Sequence, residues 1–454
     1  MRIDLLPDDI LLEIFDFYVD MSSEYGGNYA MKSWQLLVHV CRRWRSIVFV
    51  SPRRLDLKLF CTLETPAKET PDVWPALPLI IEDTLTSSSS TDNVIIALGQ
   101  SNCVCEVAFK GWKLGEVLLA MQVPFPELTY LQLWSEDETP VVIPDSFLGG
   151  FAPRLQTLTL KSVSFPGLPK LLLSATHLVY LSLYDIPHST YISPQVIVAL
   201  ISTLSSLESL YLEFRSPRSR PDQERPSLPP PKRSILPALT KFYFRGVTEY
   251  LEQLVTHIDT PQLFKMEMTF LNQIDFDCPR LSQFINCTPT LGPLNKARVN
   301  FTDSLAVVEL GPWTRDLIIN ISCIEPDWQL SSIEQVCNWS LPTLSTVEDL
   351  YIDHQYSELV WKNDAIENTL WLQLLLPFIA VKDLYLSNVF APGIAATLQE
   401  LVGGRIMEML PSLQNIFVEE LELSGSFQED IGQFVASRQL CDHPIAVSDW
   451  DGEV

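Results

Sequence analysis

The spacing of apolar positions changes period repeatedly along this chain, most plainly in residues 193–214, SPQVIVALISTLSSLESLYLEF. Its first half spaces Val196, Ile197, Leu200, Ile201 and Leu204 three and four apart. That is the stripe of an amphipathic helix, with Ser193 as cap and Pro194 at the first position. The second half, Leu207, Leu210 and Leu212, ends in the alternation of a strand with one buried face. One helix and one strand cannot bury both apolar faces alone, whereas stacked copies can.

The strand half recurs with the same 1-4-6 spacing at Leu128/Leu131/Leu133, Leu155/Leu158/Leu160, Leu178/Leu181/Leu183, Leu239/Phe242/Phe244 and Leu263/Met266/Met268. Val347/Leu350/Ile352, Val381/Leu384/Leu386 and Leu413/Ile416/Val418 continue it, and Val104/Val107/Phe109 is an earlier member. Helix-like runs lie between them, at residues 117–123, 168–173, 250–258 and 369–381. The pattern resembles the leucine-rich-repeat family over roughly residues 79–418. The resemblance implies an α/β fold, an irregular leucine-rich-repeat solenoid (horseshoe) following an N-terminal helical region. Members of that family usually carry Asn or Cys at the ninth position, where the side chain ties neighbouring turns together. Here Val163, Ile186, Val247 and Val389 stand there, and repeats begin 23 to 34 residues apart. An irregular array with long connections is expected, its register open between residues 300 and 327.

The first 53 residues are organised differently. Leu5-Leu6-Pro7-Asp8-Asp9 places proline at a helix start and acids in the first turn, with Leu6, Ile10 and Ile14 on one face. A second helical run, residues 34–44, ends in Val40-Cys41-Arg42-Arg43-Trp44. Leu-Pro-x-x-Ile-Leu-x-x-Ile-Phe followed by Val-Cys-Arg-Arg-Trp resembles the F-box, with a polar insertion at residues 22–31 where many members have a short turn. The physics agrees. So short a segment makes a marginal core of its own. Leu5, Leu6, Pro7, Ile10, Ile14, Leu37 and Val40 would leave an exposed apolar face, the mark of a partner site. A terminal cap on the first repeat would use the same face. The resemblance implies that Leu5, Leu6, Pro7, Ile10, Ile14, Leu37, Val40, Cys41 and Trp44 contact a Skp-type adaptor and, through it, a cullin. Arg42, Arg43 and Arg45 are expected to form a solvated face.

Alternation at residues 54–60 predicts a strand leading into the array, and residues 62–78 and 84–91 read as loops. The expected division is 1–53 F-box, 54–78 first strand and linker, 79–426 repeats and 427–454 C-terminal cap with an acidic end. A proline-rich basic insertion, residues 216–237, interrupts the repeats, and a short helix is expected at 431–437.

Apolar residues make up 47% of the chain and charged residues 19%, the composition of a folded chain with ample core. The net charge of −25 matters because of where it sits. Residues 1–60 hold eight basic and eight acidic side chains, and the remainder holds 23 basic against 48 acidic. Such a body should repel nucleic acid and anionic membranes. Asp4, Asp8, Asp9 and Glu13 interrupt the N-terminal apolar residues, so no signal peptide is expected. The longest apolar run, 369–381, is too short to span a bilayer and contains Gln373 and Pro377. A cytoplasmic or nuclear location follows, with the nine cysteines as free core thiols and the sequons at Asn286, Asn300, Asn320 and Asn338 unused.

Signs of catalysis are missing. There is no phosphate-cradling glycine loop or two-histidine helical motif, and Cys103-x-Cys105 lacks the second pair of a structural zinc site. No catalytic residue, metal or cofactor is expected. In the 1-4-6 strands, positions 4 and 6 point inward, so positions 3, 5 and 7 face the open side. Position 5 includes Tyr211, Tyr243, Tyr351, Tyr385 and Phe417, and positions 3 and 7 add Tyr130, Trp134, Tyr180 and Tyr184. These aromatics read either as a cross-strand ladder or as anchors for a target. Acidic neighbours Glu213, Asp349, Asp353 and Asp383 would favour a basic protein target. Together the resemblances imply the substrate receptor of an SCF-type ubiquitin ligase. The alternative is a repeat-based interaction scaffold with no part in ubiquitin transfer.

Overall fold

No side chain of the ten apolar triads is more than 3% exposed, so the 1-4-6 pattern is the core of the molecule. The structure, a computed structural model, describes residues 6–23, 33–52, 55, 57–61, 77–83, 91–137, 139–164, 168–188, 191–217, 233–271, 276, 278–291, 294–311, 317–323, 325–354, 368–401, 403–419 and 425–450. The chain divides into two compact units, Met1–Leu181 and Ser182–Val454.

The first unit opens with helices α1 (Asp8–Ser23), α2 (Ser33–Val40) and α3 (Arg42–Val50). Leu11, Phe15, Trp34, Leu37, Val38 and Val48 are buried. Phe15 packs on Trp44 with ring centroids 4.7 Å apart. Cys41 caps α3, its Sγ accepting from the Trp44 N–H. The expected strand at 54–60 is shorter. Leu55, Leu57, Leu59 and Cys61 are buried in alternation, but among the described residues only β1 (Leu59–Cys61) pairs, in parallel with β2 (Leu79–Asp83). Parallel pairing continues through β3 (Val104–Gly111), β4 (Tyr130–Ser135) and β6 (Thr157–Lys161). Between these, β5 (Val141–Val142) and β7 (Val163–Ser164) form a small pair of their own. Helices at Thr91–Leu98, Leu114–Ala120 and Leu168–Ser174 make the connections. The division between units falls inside β8 (Tyr180–Ile186).

In the second unit the helix Pro194–Ile201 has the predicted start, Ser193 capping the Val196 N–H and Pro194 in the first turn. Strands β9 (Ser209–Phe214), β11 (Lys241–Gly246) and β13 (Lys265–Leu271) run parallel. The proline-rich insertion is shorter at its end than its composition implied. Residues 218–232 lie outside the described part, but β10 (Ser234–Ile235) pairs with β12 (Ile258–Asp259), and Leu236 is buried. The stretch whose register was open is an antiparallel meander of β14 (Lys296–Phe301), β15 (Leu305–Leu310) and β16 (Leu317–Ser322). It enters the sheet backwards, with β16 beside β13 and β14 beside β17 (Asp349–His354), both in parallel. Chain length dictates this. A parallel return needs a crossover of about a dozen residues or more, and only three residues separate β14 from β15. The first reversal is tied by Thr302, whose N–H donates to the Leu305 carbonyl and whose Oγ1 accepts from the Leu305 N–H.

Parallel pairing resumes through β18 (Asp383–Leu386), β19 (Asn415–Glu419) and β20 (Ala446–Trp450). The last strand was not expected, and the tail helix is longer than predicted, Gly425–Leu440. Helix Asn368–Leu375 ends before the predicted 381, two residues short of Pro377. Of the nine cysteines all are free, but Cys41, Cys287 and Cys441 are exposed rather than core. Among the described residues no helix is long and apolar enough to cross a membrane.

Candidate interaction surfaces

On α1, helical periodicity separates an inner stripe from an outer one. Leu11 and Phe15 face the core, and Ile10 and Ile14 remain 44% and 41% exposed. Phe17 and Tyr18, which the motif did not single out, extend the exposed apolar surface. On α2, Val40 and the likewise unforeseen Leu36 are exposed. Leu37 is a correction. It was grouped with the outer face, but Trp34, Leu37 and Val38 form an i, i+3, i+4 stripe that packs inward. Trp44 is half-buried against Phe15, Cys41 and Pro7 are exposed, and Leu6 is half-buried. Leu5 lies outside the described residues. The arginines are not simply solvated. Arg43 donates to the Leu6 carbonyl at 2.5 Å and to Asp8 Oδ1 at 2.6 Å, and Arg45 Nε donates to the Val38 carbonyl at 3.0 Å. These bonds fix the chain entering α1 and the turn after α2.

Along the sheet of the second unit, register rather than sequence neighbourhood brings the aromatics together. Tyr211 stands opposite Tyr243, and Tyr351 opposite Tyr385, which stands opposite Phe417. Strands about 4.8 Å apart then stack the rings face to face. Tyr211 and Tyr243 lie 4.0 Å apart at 6°, Tyr351 and Tyr385 4.2 Å at 7°, and Tyr385 and Phe417 4.6 Å at 10°. Trp450 of β20 meets Tyr385 at 5.6 Å and Tyr351 at 6.0 Å. Tyr351 is therefore only 8% exposed, which corrects its expected place on an open face. Burial, then the neighbouring Tyr351 hydroxyl, pushes the Tyr385 phenol up to about 12. Tyr184 meets Tyr211 at a tilt, 5.9 Å and 48°. Of the two readings, the geometry is that of a ladder. Stacked rings spend their faces on one another and leave edges and hydroxyls toward solvent.

The carboxylates expected to favour a basic target have partners within the chain. Arg245 pairs with Glu213 at 3.1 Å, Lys296 with Asp349 at 3.1 Å and Arg298 with Asp353 at 2.7 Å. Asn415 Nδ2 donates to Asp383 at 2.7 Å. Burial still pushes the Asp353 carboxyl up, against the pull of Arg298. In the first unit, Tyr130 and Tyr180 are half-buried, and Trp134 lies between Lys110 and Lys161, whose Nζ atoms are 5.5 and 5.4 Å from its ring.

No protein-family model matches the chain, and no curated protein matches it significantly. Among solved structures it is similar to the leucine-rich repeat-containing protein LegL7 from Legionella pneumophila. That similarity has 11% identity, 83% of this chain and 97% of that chain covered, and a TM-score of 0.29. The register and burial described above show a mixed α/β chain with a long, mainly parallel sheet.

Proposed function

We propose that the chain is a non-catalytic receptor of an SCF-type ubiquitin ligase, acting in the cytoplasm or nucleus. In this reading the N-terminal helices dock on a Skp-type adaptor and the repeats hold a protein target. The receptor makes no bond itself and raises the local concentration of target near the ubiquitin-carrying enzyme. The observation that carries the reading is the exposure of Ile10 and Ile14 on a helix whose inner face Leu11 and Phe15 already fill. These isoleucines are spare apolar surface, and covering what remains exposed would be worth about 1 kcal/mol each. The test is co-purification of adaptor and cullin with Ile10→Asp combined with Ile14→Asp. Both side chains face solvent, so the melting temperature should hold while adaptor capture is lost to the unpaired carboxylates. Capture at the wild-type level would sink the assignment, and adaptor without cullin would favour a scaffold.

A further inference from the structure

A groove on the first unit has an unevenly charged lining. The register of β2, β3 and β4 aligns Ile80, Glu106 and Tyr130 in one row across the strands, and Glu82, Ala108 and Gln132 in the next. Lys110 and Trp134 stand opposite each other in a third. Ala108 is the small residue in the middle, and over it opens a groove of about 470 Å³. That is within the roughly 300–1,000 Å³ of sites that engulf a small group.

The two ends differ. At one, the faces of Trp134 are already taken by the Lys110 and Lys161 ammonium groups, so a further cation is repelled. At the other, Glu106 is 3.1 Å from Lys58, while Glu82 is exposed and has no ion-pair partner among the described residues. Burial first, then Glu106 and Glu82, push the Tyr130 phenol up, so both carboxylates project their field onto this ring. The Tyr130 hydroxyl donates to Gln132 Oε1 at 2.5 Å, which fixes the ring in place. Tyr130 stands opposite Glu106, with Glu82 two strands away in the next row, and an oriented tyrosine within the field of two carboxylates suits an ammonium or guanidinium group. In the second unit Glu213, Asp349 and Asp353 are each matched by a cation within the chain.

We propose that this groove receives a lysine or arginine side chain of the target protein, its head at Glu82, Glu106 and Tyr130 and its stem over Ala108. This deepens the receptor reading and rests on it for the identity of the partner. The cation's chemistry can be tested without the target. In protein carrying ¹³C-methyl alanine, the Ala108 signal is followed while N-acetyl-arginine amide or N-acetyl-lysine amide is added. N-acetyl-glutamate amide and N-acetyl-norleucine amide serve as controls. A saturable shift is expected with the two cations alone. Glu82→Gln, a change on an exposed side chain, should weaken it at least fivefold. In the Ala108→Phe variant, followed through the Trp134 indole signal, the response should vanish. Equal shifts from all four compounds, no saturation with either cation, or an unchanged titration in Glu82→Gln would overturn the proposal. Those results would leave adaptor capture by the N-terminal face untouched. Conversely, loss of the receptor reading through the adaptor experiment would leave the cation titration standing.

Discussion

Arg438 occupies a position where a charge is hard to keep. Its side chain is buried in the helix Gly425–Leu440, and it has no carboxylate partner among the described residues. Burial pulls its guanidinium down. What offsets the desolvation is a set of carbonyls left without helical partners: Nη1 donates to Ile406 at 3.2 Å, and Nη2 to Leu410 at 2.9 Å and Pro411 at 3.4 Å. Leu410 sits at φ 45°, and its carbonyl accepts from the Leu413 N–H as well as from Arg438. Arg438→Met keeps the volume but removes these donors, and should cost about 2–4 kcal/mol in a urea titration. A loss below about 0.5 kcal/mol would mean that apolar contacts alone dock this helix. Gly149 makes the complementary point about backbone. Its φ is 63°, and an added Cβ would lie 2.8 Å from Pro124 Cγ. Gly149→Ala should therefore destabilise by about 1–3 kcal/mol in the same assay. An unchanged midpoint would show that the loop relaxes freely.

At the scale of elements, the tyrosine stack tests whether register does energetic work. If Tyr211 and Tyr243 support each other at 4.0 Å, the two single alanine variants should lose more in sum than the double variant. The coupling expected from thermal melts is about 0.5–1.5 kcal/mol. Strictly additive losses would mean that the rings merely coexist. The strands bearing these rings were legible because 1-4-6 triads need no knowledge of neighbours. The meander was not legible by pattern, since its topology is decided by the lengths of the two connections around Leu305–Leu310, and length had to be weighed against crossover geometry. Strand β20 was invisible for another reason. Val447, with Ile445 just before the strand, is all the aliphatic alternation there is, and its place beside Asn415–Glu419 is a tertiary fact. On the N-terminal face, periodicity points Ile10, Ile14 and Val40 outward, and all three are exposed. Leu37 departs from the motif's outer face because it shares an inward stripe with Trp34 and Val38. The groove over Ala108 left no local signal. Glu82 reaches its row only because the β2–β3 register shifts between Leu79 and Ile80.

For the molecule as a whole, the issue is how 56 acidic side chains coexist with 31 basic ones. Cross-strand pairs such as Arg245–Glu213 and Lys296–Asp349 neutralise part of the excess at contact distance. Exposed pairs of this kind contribute about 0–1 kcal/mol each. The surplus of −25 is spread over the remaining surface and acts over longer distances. Salt separates the two effects, because the screening length falls from about 30 Å at 0.01 M to about 8 Å at 0.15 M. Repulsion between distant carboxylates is lost over that interval, while ion pairs at about 3 Å are little changed. The melting temperature should therefore rise by a few degrees between about 0.01 and 0.15 M sodium chloride, then flatten. Calorimetric scans across that series measure it directly. A falling melting temperature would mean that the internal pairs outweigh the surplus and that the acidity of the chain is no burden on its fold. A rise would mean that the same unscreened field is available to draw a basic target toward Glu82, and that this capture weakens over the salt range in which the fold gains stability.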